Sequence, residues 1–174
     1  MERGLQSASP GRLPEAMSHR EPGMEESRCG RKPSFLVIGY GNTLRRDDGV
    51  GPRVAEAVAA LNLPGVATLT CQQLSPEHAD PIARAERVVF VDAAVDAPRE
   101  VQLRPLVPGE TTQLMAHAAD PRTMLALARE VFGHAPAAWW LTIPAAELGF
   151  GEELSPAAQR GLSEAVAQIQ ALRG

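Results

Sequence analysis

The stretch Gly39-Tyr40-Gly41-Asn42-Thr43-Leu44-Arg45-Arg46-Asp47-Asp48-Gly49-Val50-Gly51 sets four glycines around two adjacent carboxylates. The apolar run Phe35-Leu36-Val37-Ile38 precedes it and a helical pattern comes after it, so it reads as a strand, a glycine-rich turn and a helix. That is the shape of a phosphate-binding loop. The start of a helix attracts an anion, whereas Asp47 and Asp48 would repel one. By charge, the turn suits a cation.

A third carboxylate, Asp92, ends the apolar run Val88-Val89-Phe90-Val91. In a doubly wound sheet the first and third strands commonly lie side by side, and ligands bind in the crevice beyond their carboxyl ends. Carboxylates from two loops therefore converge at one rim. They repel each other unless they are protonated or share a cation, and imidazole would complete the shell of nickel, zinc, copper or iron. The chain has four histidines. His19 falls in a tail, His78 at a helix start and His134 in a turn. His117 lies in the loop Leu114-Met115-Ala116-His117-Ala118-Ala119-Asp120-Pro121, ahead of a helix that Asp120 can cap. His117 is thus the choice of third ligand beside Asp92 and the acids of the turn, Asp47 and Asp48. Asn42 is expected to bond within the glycine turn.

Each residue also has a plainer reading. Asp47 or Asp48 could simply favour a helix N-terminus. Asp92 could bond a turn at a strand end, and a single loop histidine need not be a ligand. Cys71, at a strand end, reads as a small buried apolar residue rather than a nucleophile. Glu77 and His78 read as solvated helix-start residues.

The elements that must position these side chains can be read from periodicity. Strands are expected over residues 35–39, 66–71, 88–92 and 138–143, with an edge or hairpin strand over 100–104. Helices are expected over 51–61, with Val54, Val58 and Leu61 on one face, and over 76–84. A third covers 121–132, with Met124, Leu125, Ala128 and Phe132 inward. The last covers 155–172, with Ser155 as cap and Pro156 in the first turn. Trp139 and Trp140 should face opposite layers. Alternating strands and helices predict an α/β three-layer sandwich with a twisted, mainly parallel five-stranded sheet flanked by helices.

The chain of 174 residues, with net charge −4, suits one folded domain. Residues 1–33, proline-rich and without an apolar face, read as a disordered tail, and residues 34–174 as the domain. Scattered basic residues argue against nucleic acid and against an anionic membrane surface. No apolar run is long enough to span a bilayer, and two cysteines, Cys29 and Cys71, make no disulfide framework. A cytoplasmic monomer is the expectation.

The pattern Gly39-x-Gly41-Asn42-x-Leu44-x-x-Asp47-Asp48-Gly49-x-Gly51 resembles the opening motif of the nickel–iron hydrogenase maturation endopeptidases. Val89-Phe90-Val91-Asp92-Ala93-Ala94 is similar to that family's second acidic motif. The His117 loop resembles its histidine loop, and Gly151-x-x-Leu154-Ser155-Pro156 its ending. The resemblance covers nearly all of residues 35–172; Ala116 departs from it, since serine, threonine or proline is commoner before the histidine. It implies a hydrolase that removes the C-terminal extension of a hydrogenase large-subunit precursor after nickel insertion. The nickel would come with the precursor. Asp48, Asp92 and His117 would meet it, and Gly39, Gly41, Asn42 and Asp47 would form the substrate loop. One rival, a non-catalytic nickel chaperone, keeps the same ligands; the other is a Rossmann-type nucleotide-binding module, in which Asp47 and Asp48 would repel phosphate near the helix start.

Overall fold

The computed structural model describes Met1 and residues 33–95, 100–110 and 120–174. The chain divides into two units between Arg31 and Lys32, and every strand and helix among the described residues belongs to the second, Lys32–Gly174. The predicted tail, residues 1–33, falls almost wholly outside the described residues, and so does His117.

Five strands form one sheet in the order β2-β1-β3-β5-β4. They are β1 (Phe35–Tyr40), β2 (Val66–Cys71), β3 (Arg87–Ala94), β4 (Gln102–Leu106) and β5 (Ala137–Pro144). β1 pairs in parallel with both β2 and β3, and β3 with β5. β4 runs antiparallel on the outer side of β5. This is the predicted α/β three-layer arrangement, with the first and third strands adjacent.

Alternation along the strands feeds two cores. Phe35, Val37, Val89, Val91 and Trp139 face one layer. Leu36, Ile38, Tyr40, Val88, Phe90 and Trp140 face the other. α1 (Val50–Ala60) and α4 (Pro156–Arg173) cover the first face, and α2 (Ala79–Arg84) and α3 (Pro121–Phe132) the second. β1 and the centre of β3 are buried on both sides, which is why they read as continuous apolar runs.

Helix ends obey local chemistry. The Asp120 side chain accepts from Arg122 N at 2.8 Å, Pro121 occupies the first turn, and Gly133 closes α3 with φ +73°. Ser155 Oγ accepts from Ala158 N at 3.2 Å to cap α4. α1 differs from expectation. A 3-10 turn at Arg46–Gly49 runs straight into it, so the helix begins at Val50 rather than at Gly51. The predicted helix over 76–84 splits into a 3-10 turn, Pro76–His78, and α2. Phe132, expected inside, is 48% exposed, because it is the last residue of α3. Leu61 is likewise exposed at the end of α1. Among the described residues, no helix is long and apolar enough to cross a membrane.

The glycine turn is fixed by close approach. A Cβ on Gly39 would lie 2.1 Å from Gly51 O, and one on Gly51 would lie 2.5 Å from Tyr40 O and 2.6 Å from Val91 O. The start of α1 is thus pressed against β1 and β3 where only hydrogen atoms fit. Gly51→Ala should therefore lower stability by about 3 kcal/mol or more in urea denaturation. Gly133→Ala, at a left-handed position with open space around it, should cost only about 1–2 kcal/mol. Equal losses would contradict this packing account.

Candidate active site at the carboxyl rim of the sheet

The loop after β1 is held by a buried carboxylate. Asp47 is 0% exposed. Its Oδ2 accepts from Ala146 N and Glu147 N, each at 3.0 Å, and from Ser155 Oγ at 2.8 Å; Oδ1 accepts from Ser155 N at 2.7 Å. Backbone bonds repeat the connection: Asp47 N to Glu147 O at 3.0 Å, Arg46 N to Gly151 O at 2.7 Å and Gly151 N to Leu44 O at 3.0 Å. Arg46 adds an ion pair to Glu147, and Arg53 donates to Glu152 O. Asp47 stands in the predicted loop, but its oxygens are turned inward. They tie that loop to the β5–α4 connection instead of facing a substrate. Nothing in the sequence pairs Asp47 with residues a hundred positions later, so this role had no local signal beyond the helix cap at Ser155.

Asp48, the next residue, is half-buried and turned differently. Its Oδ2 accepts from Asn42 N at 3.1 Å. Asn42 Oδ1 in turn accepts from Leu44 N at 2.9 Å, the internal turn bond expected of it. Gly41, with φ +136°, lets the chain pass Asp48; a Cβ there would lie 2.0 Å from Asp48 O. Gly39, Gly41 and Asn42 therefore shape the loop, and the second oxygen of Asp48 accepts no hydrogen bond among the described residues.

Asp92 stands on β3 at the same rim. Burial pushes its carboxyl up from 3.8 to about 6. The Tyr40 hydroxyl and the Ala93 backbone N–H beside it oppose the rise, and the charge of Asp48 adds to it. The two carboxylates thus feel each other, as the topology required. Burial also raises the Tyr40 phenol, and the Asp92 charge raises it further. Tyr40 Oη and Trp140 Nε1 are buried without a hydrogen bond of good geometry among the described residues. Asp120, the α3 cap, lies near enough to act on Tyr40. A buried acid with its proton affinity raised, a like charge beside it and two unmatched polar atoms are features of a functional site rather than of a core. Tyr40 and Trp140 had no sequence signal for this: Tyr40 fell in the glycine turn, outside the strand expected over 35–39, and Trp140 read as a strand residue facing one layer.

The remaining candidates fall away from the rim chemistry or change character. Cys71 is a half-buried free thiol, raised by burial and by Glu77, and so protonated near neutrality. His78, expected in solvent, is 7% exposed. Its Nδ1 accepts from Ser75 N at 2.8 Å and completes the cap of the 3-10 turn. Among the described residues, no three His, Cys, Asp or Glu side chains are grouped closely enough to hold an ion; of the expected contacts, Asp48 and Asp92 are described and His117 is not.

Two measurements check this geometry. Asp47→Asn keeps size but turns an NH2 towards donors, and should cost about 2–4 kcal/mol in urea denaturation; a loss under about 0.5 kcal/mol would contradict the clamp. For Asp92, the folded state holds the proton more tightly than the unfolded state. The stability this gives is complete below pH 3.8 and is lost as pH rises through about 6. Asp92→Asn should remove that fall from the urea stability profile of the metal-free protein, and an unchanged profile would contradict the assignment.

No family model and no curated protein matches the chain. Solved structures do. The nickel–iron hydrogenase maturation protease HycI of Thermococcus kodakarensis matches with TM-score 0.64 and 23% identity, over 82% of this chain and 94% of that one. The hydrogenase-maturating endopeptidase HybD of Escherichia coli gives 0.62 and 21%, over 80% and 91%. A hydrogenase 2 maturation peptidase from a Thaumarchaeota archaeon gives 0.61 and 22%, over 80% and 97%. At these identities the likeness is one of architecture, and it spans nearly the whole of each compared protein: the chain has the fold of the hydrogenase maturation endopeptidases.

Proposed function

We propose that this protein is a cytoplasmic endopeptidase that removes the C-terminal extension of a nickel–iron hydrogenase large-subunit precursor, after nickel has been inserted, by recognising the nickel in that precursor. The observation that carries the reading is the Asp48–Asp92 pair. Two carboxylates, Asp48 in the turn after β1 and Asp92 on β3, sit at the switch point of a doubly wound sheet, and Asp92 is raised by burial and by its neighbour's charge. A cation arriving with the substrate would relieve that repulsion. The fold shared with hydrogenase maturation proteases supports the same conclusion.

His117 is the proposed third contact. Its loop joins Glu110 to Asp120. Gly109 N donates to Arg122 O at 2.9 Å, and Asp120 caps the same helix start. Asp120 also lies within electrostatic reach of Tyr40, the neighbour of Asp92. His117 stands three positions before Asp120, a span of at most roughly 10 Å, and the reading has its imidazole meet the two carboxylates. Asp48, Asp92 and His117 would hold the nickel that the precursor brings, and the metal would supply polarisation of a peptide carbonyl or activation of water. Asp47 and Asn42 hold Asp48 in place, and burial keeps Asp92 in a site where charge is felt strongly.

A nucleotide-binding module is disfavoured because two carboxylates occupy the turn that would cradle phosphate. A nickel chaperone would use the same ligands but shorten no precursor. Asp48→Asn and His117→Ala should each leave the fold intact by circular dichroism and leave nickel-loaded precursor uncut in a gel-shift assay. Full processing by both variants would refute the assignment.

A further inference from the structure

A cavity of about 400 Å³ opens beside the glycine turn, between Asn42, Thr43 and Leu44 on one wall and Thr70, Cys71 and Gln72 on the other. It lies within the volume range of ligand pockets. Its first wall is continuous with the site, because Asn42 N holds Asp48 Oδ2. Its second wall is the end of β2, the outermost strand on that side of the sheet.

The pairing of β2 shows which backbone groups are spoken for. Phe35 N donates to Gly65 O and Gly41 N to Cys71 O, each at 3.2 Å. In an extended strand a residue points its N–H and C=O to the same side, and its neighbours point theirs to the other. Residues 65, 67, 69 and 71 therefore face β1, and Thr70 directs both groups outward. Thr70 is exposed, and no strand pairs with that edge among the described residues. Uncovered edges of this kind are templates for another extended chain.

We propose that this cavity is the groove for the extended peptide flanking the bond to be cut, and that the peptide adds to the outer edge of β2 through the backbone of Thr70. The inference rests on the functional reading above and deepens it. A peptidase needs an unfolded, extended substrate, and main-chain pairing is the recognition mode that suits one. A peptide seated there passes Thr43 and Asn42 and arrives at Asp48. Cys71, a neutral thiol, lines the path without reacting.

Proline is tolerated on an edge strand where its nitrogen faces outward, so Thr70→Pro removes the outward donor and leaves the pairing with β1 alone. We expect it to raise KM for nickel-loaded precursor about three- to tenfold, with kcat changed by less than about twofold. Thr68→Pro, on the same edge but outside the cavity, should keep the wild-type KM. Wild-type KM in Thr70→Pro, or equal impairment in both, would overturn the proposal. A second measurement does not depend on a tolerated proline: a photoreactive benzoylphenylalanine replacing Thr43 should crosslink to precursor residues flanking the cut. Crosslinks confined to the precursor's folded part, or none, would overturn the groove. Crosslinks there from the Thr43 variant, with precursor left whole by the wild-type protein, would instead sink the peptidase reading and keep the groove.

Discussion

One buried carboxylate organises the working end of this molecule. Asp47 has no solvent exposure and accepts four hydrogen bonds, all from the segment between β5 and α4. A charge so placed is tolerable only when fully matched by donors. Matched, it welds two loops that are distant in sequence into a single rigid rim. Asp48 is the next residue in the chain, so fixing the first acid aims the second. The glycine contacts do the complementary work by pressing the start of α1 onto β1 and β3. The rim therefore presents Asp48 on a stiff turn beside Asp92 on a buried strand.

That rigidity has a chemical consequence. In a flexible loop Asp48 would swing away from Asp92 and let water screen both. Burial raises the proton affinity of Asp92, and the charge of Asp48 held nearby adds to it. Tyr40 Oη and Trp140 Nε1 beside them are buried without a hydrogen bond of good geometry among the described residues. Such a site is electrostatically frustrated, because the two carboxylates repel each other. The frustration is local, whereas both cores on either side of the sheet are packed with apolar side chains.

Much of this was legible in the residues. The apolar runs gave β1 and β3 because central strands of a parallel sheet are buried on both faces. Asp120 and Ser155 announced their helices through cap chemistry. The convergence of Asp48 and Asp92 came from topology alone. What was hidden depended on tertiary contacts. Asp47 looked like a loop acid because its donors lie about a hundred positions away. His78 looked solvated because its burial comes from a capping turn that also broke the expected helix in two. Phe132 fitted the helical stripe but fell at the helix end, where the stripe no longer has a core to meet.

The central claim is that the rim reads a cation carried by a precursor protein and that cutting depends on it. The most direct measurement is the intact mass of a candidate hydrogenase large-subunit precursor after incubation with this protein, with and without nickel in the precursor. The account predicts loss of a C-terminal peptide from the nickel-loaded form only. Cutting that is indifferent to nickel, or a precursor left whole in both conditions, would contradict it.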